Sequence, residues 1–171
     1  MVLTAVGKDR PGLVNEITSL IHTAGANLED SRMAILGGEF ALLLLVAGSQ
    51  ATLAEIEAGV PKLEQKLGLS IVTKATERSA PAKRFLPYLL KVTGFDRPGI
   101  VHQVSELLAR LDVNVASLES RVNFAPLSGT PMFILDAELQ VPDQATLRRL
   151  RQDLTATCDE VDLDFTLEAK D

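Results

Sequence analysis

One cysteine, one tyrosine and no tryptophan leave this chain of 171 residues short of the side chains that most often carry chemistry. The single thiol, Cys158, excludes an internal disulfide and points to a reducing compartment. It equally excludes the paired cysteines of a metal chaperone. With 4% aromatic residues, the chain lacks the stacking platforms on which single-stranded RNA is read. Positive charge is also scarce: 17 Lys and Arg stand against 23 Asp and Glu, a net charge of −6, so no basic stripe is available to displace counterions from nucleic-acid phosphates. The longest apolar run, residues 40–47, falls far short of the roughly 20 residues that span a bilayer. The segment Met1–Val6 carries neither a basic region nor a cleavage signal. A cytoplasmic protein with no direct nucleic-acid or membrane contact is expected. No Gly-x-Ser-x-Gly, Walker loop or paired-carboxylate arrangement is present, so the chain reads as a non-enzyme. His22 and His102 lie far apart without ligand partners at metal spacing, and neither a metal nor another cofactor is expected. The acidic residues Asp153, Asp159, Glu160, Asp162 and Asp164 read as a solvated face.

What the chain does have is a repeat. Asp9-Arg10-Pro11-Gly12 recurs as Asp96-Arg97-Pro98-Gly99, an offset of 96 − 9 = 87 that also joins Asn27 to Asn114. Around the first copy, Val2–Val6 reads as a strand, and the tetrapeptide as a helix start with Asp9 capping free amides and Pro11 in the first turn. Leu13, Ile17, Leu20 and Ala24, flanked by Val14 and Ile21, form one apolar helical face that Gly25 ends. Asn27–Leu36 and Phe40–Ala47 read as a hairpin joined at Gly37-Gly38. Thr52 and Glu55 have capping-box spacing for a second helix, faced by Leu53, Ile56, Val60, Leu63 and Leu67, which Pro61 should kink or split. Leu69–Ala75 closes the unit as a strand.

Residues 76–87, with Ser79, Ala80, Pro81 and Pro87, read as a linker between a module at 1–75 and a second at 88–171. The second copy repeats the order: strand Tyr88–Thr93, a helix faced by Ile100, Val101, Val104, Leu107, Leu108 and Leu111, and strands Val113–Phe124 and Met132–Val141. The loop at 125–131 joins these two strands, and its Ser128 and Thr130 read as surface loop residues. A helix starting at Pro142-Asp143 carries Leu147, Leu150, Leu154 and Cys158, and the strand Val161–Leu167 follows. Each copy is βαββαβ, an α+β, ferredoxin-like arrangement of an antiparallel sheet with both helices on one face. A sheet covered on one side should alternate, as Phe133, Leu135, Ala137 and Leu139 do against Asp136 and Glu138. Residues 41–46 do not alternate, so their second face should be hidden by the other module or another chain, and a homodimer or larger homo-oligomer is expected. Halves of under about 90 residues gain from such packing, because a lone core of that size is marginal.

The chemistry is expected where strand turns into helix. Amides at a helix N-terminus carry partial positive charge and can hold a carboxylate, and Gly12 or Gly99 lets a ligand approach the backbone. Asn27 or Asn114, offering both a donor and an acceptor, would take the ligand's other end. Residues 9–14, Asp-Arg-Pro-Gly-Leu-Val, with residues 25–32 and the βαββαβ order, resemble an ACT domain. Residues 96–101 with Val113-Asn114-Val115 resemble a second. The tandem pair is similar to the glycine cleavage system transcriptional repressor family over nearly the whole chain. The resemblance implies a regulatory module that binds a small amino acid, usually between two copies, with contacts from Asp9, Arg10, Pro11, Gly12 and Asn27. In the second copy the corresponding residues are Asp96, Arg97, Pro98, Gly99 and Asn114. It further implies action through a partner transcription regulator, with no DNA-binding domain in the chain. Two alternatives remain open: a ligand-free interaction module, and a small acylphosphatase-type enzyme, for which neither repeat has the glycine-rich phosphate loop.

Overall fold

The computed structural model describes residues 1–77, 84–126 and 128–170. The chain divides into two compact units, residues 1–79 and 80–171. In the first, β1 (Val2–Lys8), α1 (Leu13–Thr23), β2 (Asn27–Leu36), β3 (Glu39–Ala47), α2 (Gln50–Leu67) and β4 (Leu69–Lys74) build a sheet of order β2-β3-β1-β4. In the second, β5 (Leu86–Phe95), α3 (Ile100–Arg110), β6 (Asn114–Phe124), β7 (Pro131–Val141), α4 (Gln144–Glu160) and β8 (Leu163–Ala169) build β6-β7-β5-β8. Every strand pairing is antiparallel, and each unit is the βαββαβ module that its periodicities predict.

Each module closes its own apolar core. In the first, Leu13 and Ile17 of α1 and Ile56 of α2 meet Leu3, Phe40 and Leu44 of the sheet. In the second, Ile100, Leu108 and Leu150 meet Leu90, Leu135 and Leu139. Full burial of such a side chain stabilises by about 1.5–3 kcal/mol, and among the described residues no polar or charged residue is buried to offset it. Val14 and Val101, expected on the apolar faces, are instead exposed.

Local chemistry moves several boundaries. Gly12, not Asp9, is the N-cap of α1, and no side chain bonds its first turn; Pro11 stays outside the helix. The N-cap of α2 is Ser49, whose hydroxyl accepts from the Thr52 amide at 3.1 Å, so the cap lies three residues before the expected Thr52. α2 runs unbroken through Pro61. Leu86 and Pro87, expected in the linker, begin β5. Pro87 is tolerated there because it lies past the last β8 partner, where only its carbonyl is used, by the Lys170 amide. Of the expected linker, residues 78–83 lie outside the described residues. Asp162, at φ 47°, turns the chain between α4 and β8, which starts at Leu163 and not at Val161.

The helix ends repeat across the modules with one exchange. After α1, Gly25 at φ 77° takes the left-handed conformation; its amide donates to the His22 carbonyl, and the Ala26 amide to that of Ile21. After α3 the same pair of bonds forms, but the left-handed residue is Asp112 at φ 54°. A bulge also recurs, between Leu28 and Asp30 in β2 and between Val115 and Ser117 in β6.

The faces of the two sheets turned away from the helices differ in character. In the first, register places Val6 beside Ala41, Thr4 between Leu43 and Val72, and Val2 beside Leu45. On this face Val6 is 50%, Leu43 45% and Val72 60% exposed. In the second, β7 presents Asp136 and Glu138, flanked by Glu119 and Arg121 of β6. The same face carries Lys91 of β5, with Asp164 and Glu168 on β8.

Candidate functional site

The site follows from how α1 starts. Gly12 adopts φ 93°, a conformation that a Cβ would strain, and its carbonyl takes the first helical bond, from Glu16 at 3.0 Å. With no capping side chain, the amides of the first turn have no partner within the helix, and they converge where the helix dipole is positive. The loop is fastened from behind, since the Asp9 amide donates to the Gly38 carbonyl at 3.2 Å across the hairpin turn. Arg10, exposed, supplies a cation. The second module repeats this geometry: Gly99 at φ 97°, Gln103 to the Gly99 carbonyl at 3.0 Å, and Asp96 to the Pro131 carbonyl at 3.1 Å.

In the first module the loop opens on a groove of about 580 Å³. Asp9, Arg10, Pro11 and Gly12 form one wall, Val14 and Asn15 continue it along α1, and Met33 and Ile35 of β2 form the floor. The groove exists because β2 is an edge strand that extends past the helical layer. Its register with Leu42 and Phe40 turns Met33 and Ile35 to the helix side, yet both stay more than half exposed. Sequence reasoning missed these two residues; their alternation in β2 was visible, but not the uncovered edge.

Asn27 does not join the loop. It pairs with Ala47 at one end of β2, whereas the loop adjoins the other end, where Leu36 pairs with Glu39. At about 3.3 Å per residue the two are roughly 25–30 Å apart along the strand. The expected arrangement, with Gly12 and Asn27 of one module holding the two ends of one ligand, is thus not what a single module provides. The same separation holds for Gly99 and Asn114, since Asn114 pairs with Gln140 and Phe124 with Pro131. Asn114 is also occupied: its amide nitrogen donates to the Gln140 side-chain carbonyl at 2.7 Å.

Other candidates carry less. Cys158 is 2% exposed, and burial, with Asp159 and Asp164 adding to it, pushes its thiol above the ordinary value, so it stays protonated. His102 does have a carboxylate one turn away, Glu106 at 4.0 Å, but among the described residues no cluster of three metal-ligating groups forms. Ser128 and Thr130 bond each other, hydroxyl to hydroxyl at 2.7 Å. On the charged face of the second sheet, Arg121 pairs with Asp136 at 2.7 Å and Lys170 with Glu138 at 2.7 Å. No helix among the described residues is long and apolar enough to cross a membrane.

Known proteins resemble the chain at both levels. ACT domain models match residues 1–74 and residues 88–155. The glycine cleavage system transcriptional repressor of Escherichia coli (strain K12) is 32% identical over 161 residues, covering 94% of this chain and 85% of that protein. A crystal structure of an unknown protein from Galdieria sulphuraria superposes with a TM-score of 0.82 at 29% identity, over 99% of this chain and 97% of that one. A crystal structure of a proposed glycine cleavage system transcriptional repressor superposes at 0.73 with 30% identity, over 99% and 95%.

Proposed function

The chain belongs to the ACT-domain family, in the tandem form of the glycine cleavage system transcriptional repressors, and we propose that it senses a small amino acid. Glycine or a close analogue is the ligand class that fits the family. The observation that carries the reading is the uncapped start of α1, whose amides, with Arg10 beside them, face an open groove. A carboxylate there satisfies donors that the fold leaves without a side-chain partner. Because Asn27 lies at the far end of its own sheet, the group that holds the ligand's amine comes from a second module. Antiparallel apposition of two edge strands brings the Asn end of one to the loop end of the other.

Affinity is bounded by ligand size. Five heavy atoms at a ceiling of about 1.5 kcal/mol each give roughly −7.5 kcal/mol, or low micromolar binding, suited to an abundant metabolite. Occupancy then biases how modules associate, and a partner transcription regulator reads that association. The net charge of −6 is consistent with a cytoplasmic, non-enzymatic regulator that reaches DNA only through such a partner.

Calorimetry and thermal-shift measurements with a panel of amino acids test this. A small amino acid is expected to bind and stabilise the chain, and the corresponding amine without the carboxylate is not. Absence of heat and of stabilisation across the panel at millimolar concentrations would leave the chain as a ligand-free interaction module.

A further inference from the structure

We propose that the helix-free face of the first module's sheet is a self-association surface, on which two copies of this chain stack about a two-fold axis near Thr4. The face is apolar at its centre: Val6, Leu43 and Val72 are exposed there, and Val2 and Leu45 extend it. Its charges lie toward the margins; those of β1, β2 and β3 are matched, while Lys74 of β4, beside Val2, has no carboxylate partner among the described residues. Arg32 pairs with Asp30 on β2, and Lys8 with Glu39 at 3.7 Å, so a chain with net charge −6 presents here a nearly neutral surface. Two such faces meet with Lys74 as the one uncompensated charge on each among the described residues.

The other faces fit less well. Stacking the second module's face on its own copy brings Asp136, Glu138, Asp164 and Glu168 against the same residues. Stacking it on the apolar face strips water from those carboxylates, of which Asp136 and Glu138 are paired, by Arg121 and Lys170, and Asp164 and Glu168 are not among the described residues. Only the first module's face, set on itself, buries apolar area at little electrostatic cost. Four strands about 4.8 Å apart, each contributing some six residues, make a footprint of roughly 400 Å² on each copy, so the contact buries on the order of 800 Å² in total. That is the size of a weak, concentration-dependent contact rather than a permanent interface. The stack leaves the helix-side groove open, and it does not depend on ligand binding.

Sedimentation velocity of the full chain, without added amino acids, over about 1–300 µM tests it. The expected result is an assembly whose mass halves in Leu43→Asp and in Val72→Lys, with circular dichroism unchanged. Leu89→Asp, on the second module's face, should leave the mass as it is. As a positive readout, Thr4→Cys in a Cys158→Ser background should form a covalent dimer on mild oxidation. A chain that is monomeric throughout this range, an assembly unaltered by both first-module variants or disrupted equally by Leu89→Asp, or no cross-link through Thr4→Cys, overturns the proposal.

Discussion

Asn114 donates its side-chain amide to Gln140 at 2.7 Å, whereas Asn27, its counterpart 87 residues earlier, faces Ala47 and has no side-chain partner among the described residues. The repeat has kept the residue and changed its employment: one Asn is committed to its own sheet, the other is free to bind.

Amino-acid binding should therefore depend on the first module. Asn27→Ala is expected to weaken binding by at least about tenfold, the worth of a good polar contact, with little change in melting temperature. Asn114→Ala should leave affinity within about twofold and lower stability by roughly 0.5–1 kcal/mol, through the lost bond to Gln140. Isothermal titration together with urea denaturation of both variants checks the pair.

Asp112 occupies the left-handed position that Gly25 holds in the first module, without glycine's freedom there. Asp112→Gly should stabilise the second module by roughly 0.5–1 kcal/mol, since relief of the left-handed strain exceeds the added entropy of the unfolded chain. Chemical denaturation of the full chain, followed by a probe in the second module, reads this. An unchanged or lower midpoint would mean that the strain at φ 54° is already compensated.

The start of α4 should contribute to acid sensitivity. Asp143 accepts the Thr146 amide at 2.8 Å, and that bond, with further help from the Thr146 side chain, holds its carboxyl below the ordinary value of 3.8. A carboxyl depressed in the folded state contributes stability that is fully present above its unfolded value and is lost as pH falls through the folded one. Asp143→Asn should flatten this part of the profile between about pH 5 and pH 2 while keeping the cap. Denaturation midpoints of the two proteins should converge in acid, and parallel curves would refute the assignment.

Much of the module was legible because its signals are periodic. Leu147, Leu150, Leu154 and Cys158 mark one helical stripe, Phe133 to Leu139 alternate, and all of them are buried as their spacing implies. Errors fell where a single hydrogen bond decides the outcome. Thr52 resembles a cap, but Ser49 reaches the free amide first; Asp9 resembles one too, but the chain turns through Gly12 instead. The loop that opens on the groove was marked by the repeated tetrapeptide. Its floor was not, because Met33 and Ile35 become a groove only where β2 overhangs the helices. Nor was the distance to Asn27, which is set by the length and direction of a strand. The run at residues 41–46 announced a second apolar face, while Val6 and Val72 join it only through register.

The placement of β1 between β3 and β4 has a consequence for how the chain comes off the ribosome. The first strand made is the one that needs both neighbours, and its pairing of Val2 with Lys74 spans 74 − 2 = 72 residues. At about 5–20 residues per second that partner arrives some 4–14 s later. The second module delays again, with Tyr88 paired to Ala169 across 169 − 88 = 81 residues. Each half therefore closes late and all at once, and until it does the nascent chain carries an unflanked apolar strand that a chaperone can hold.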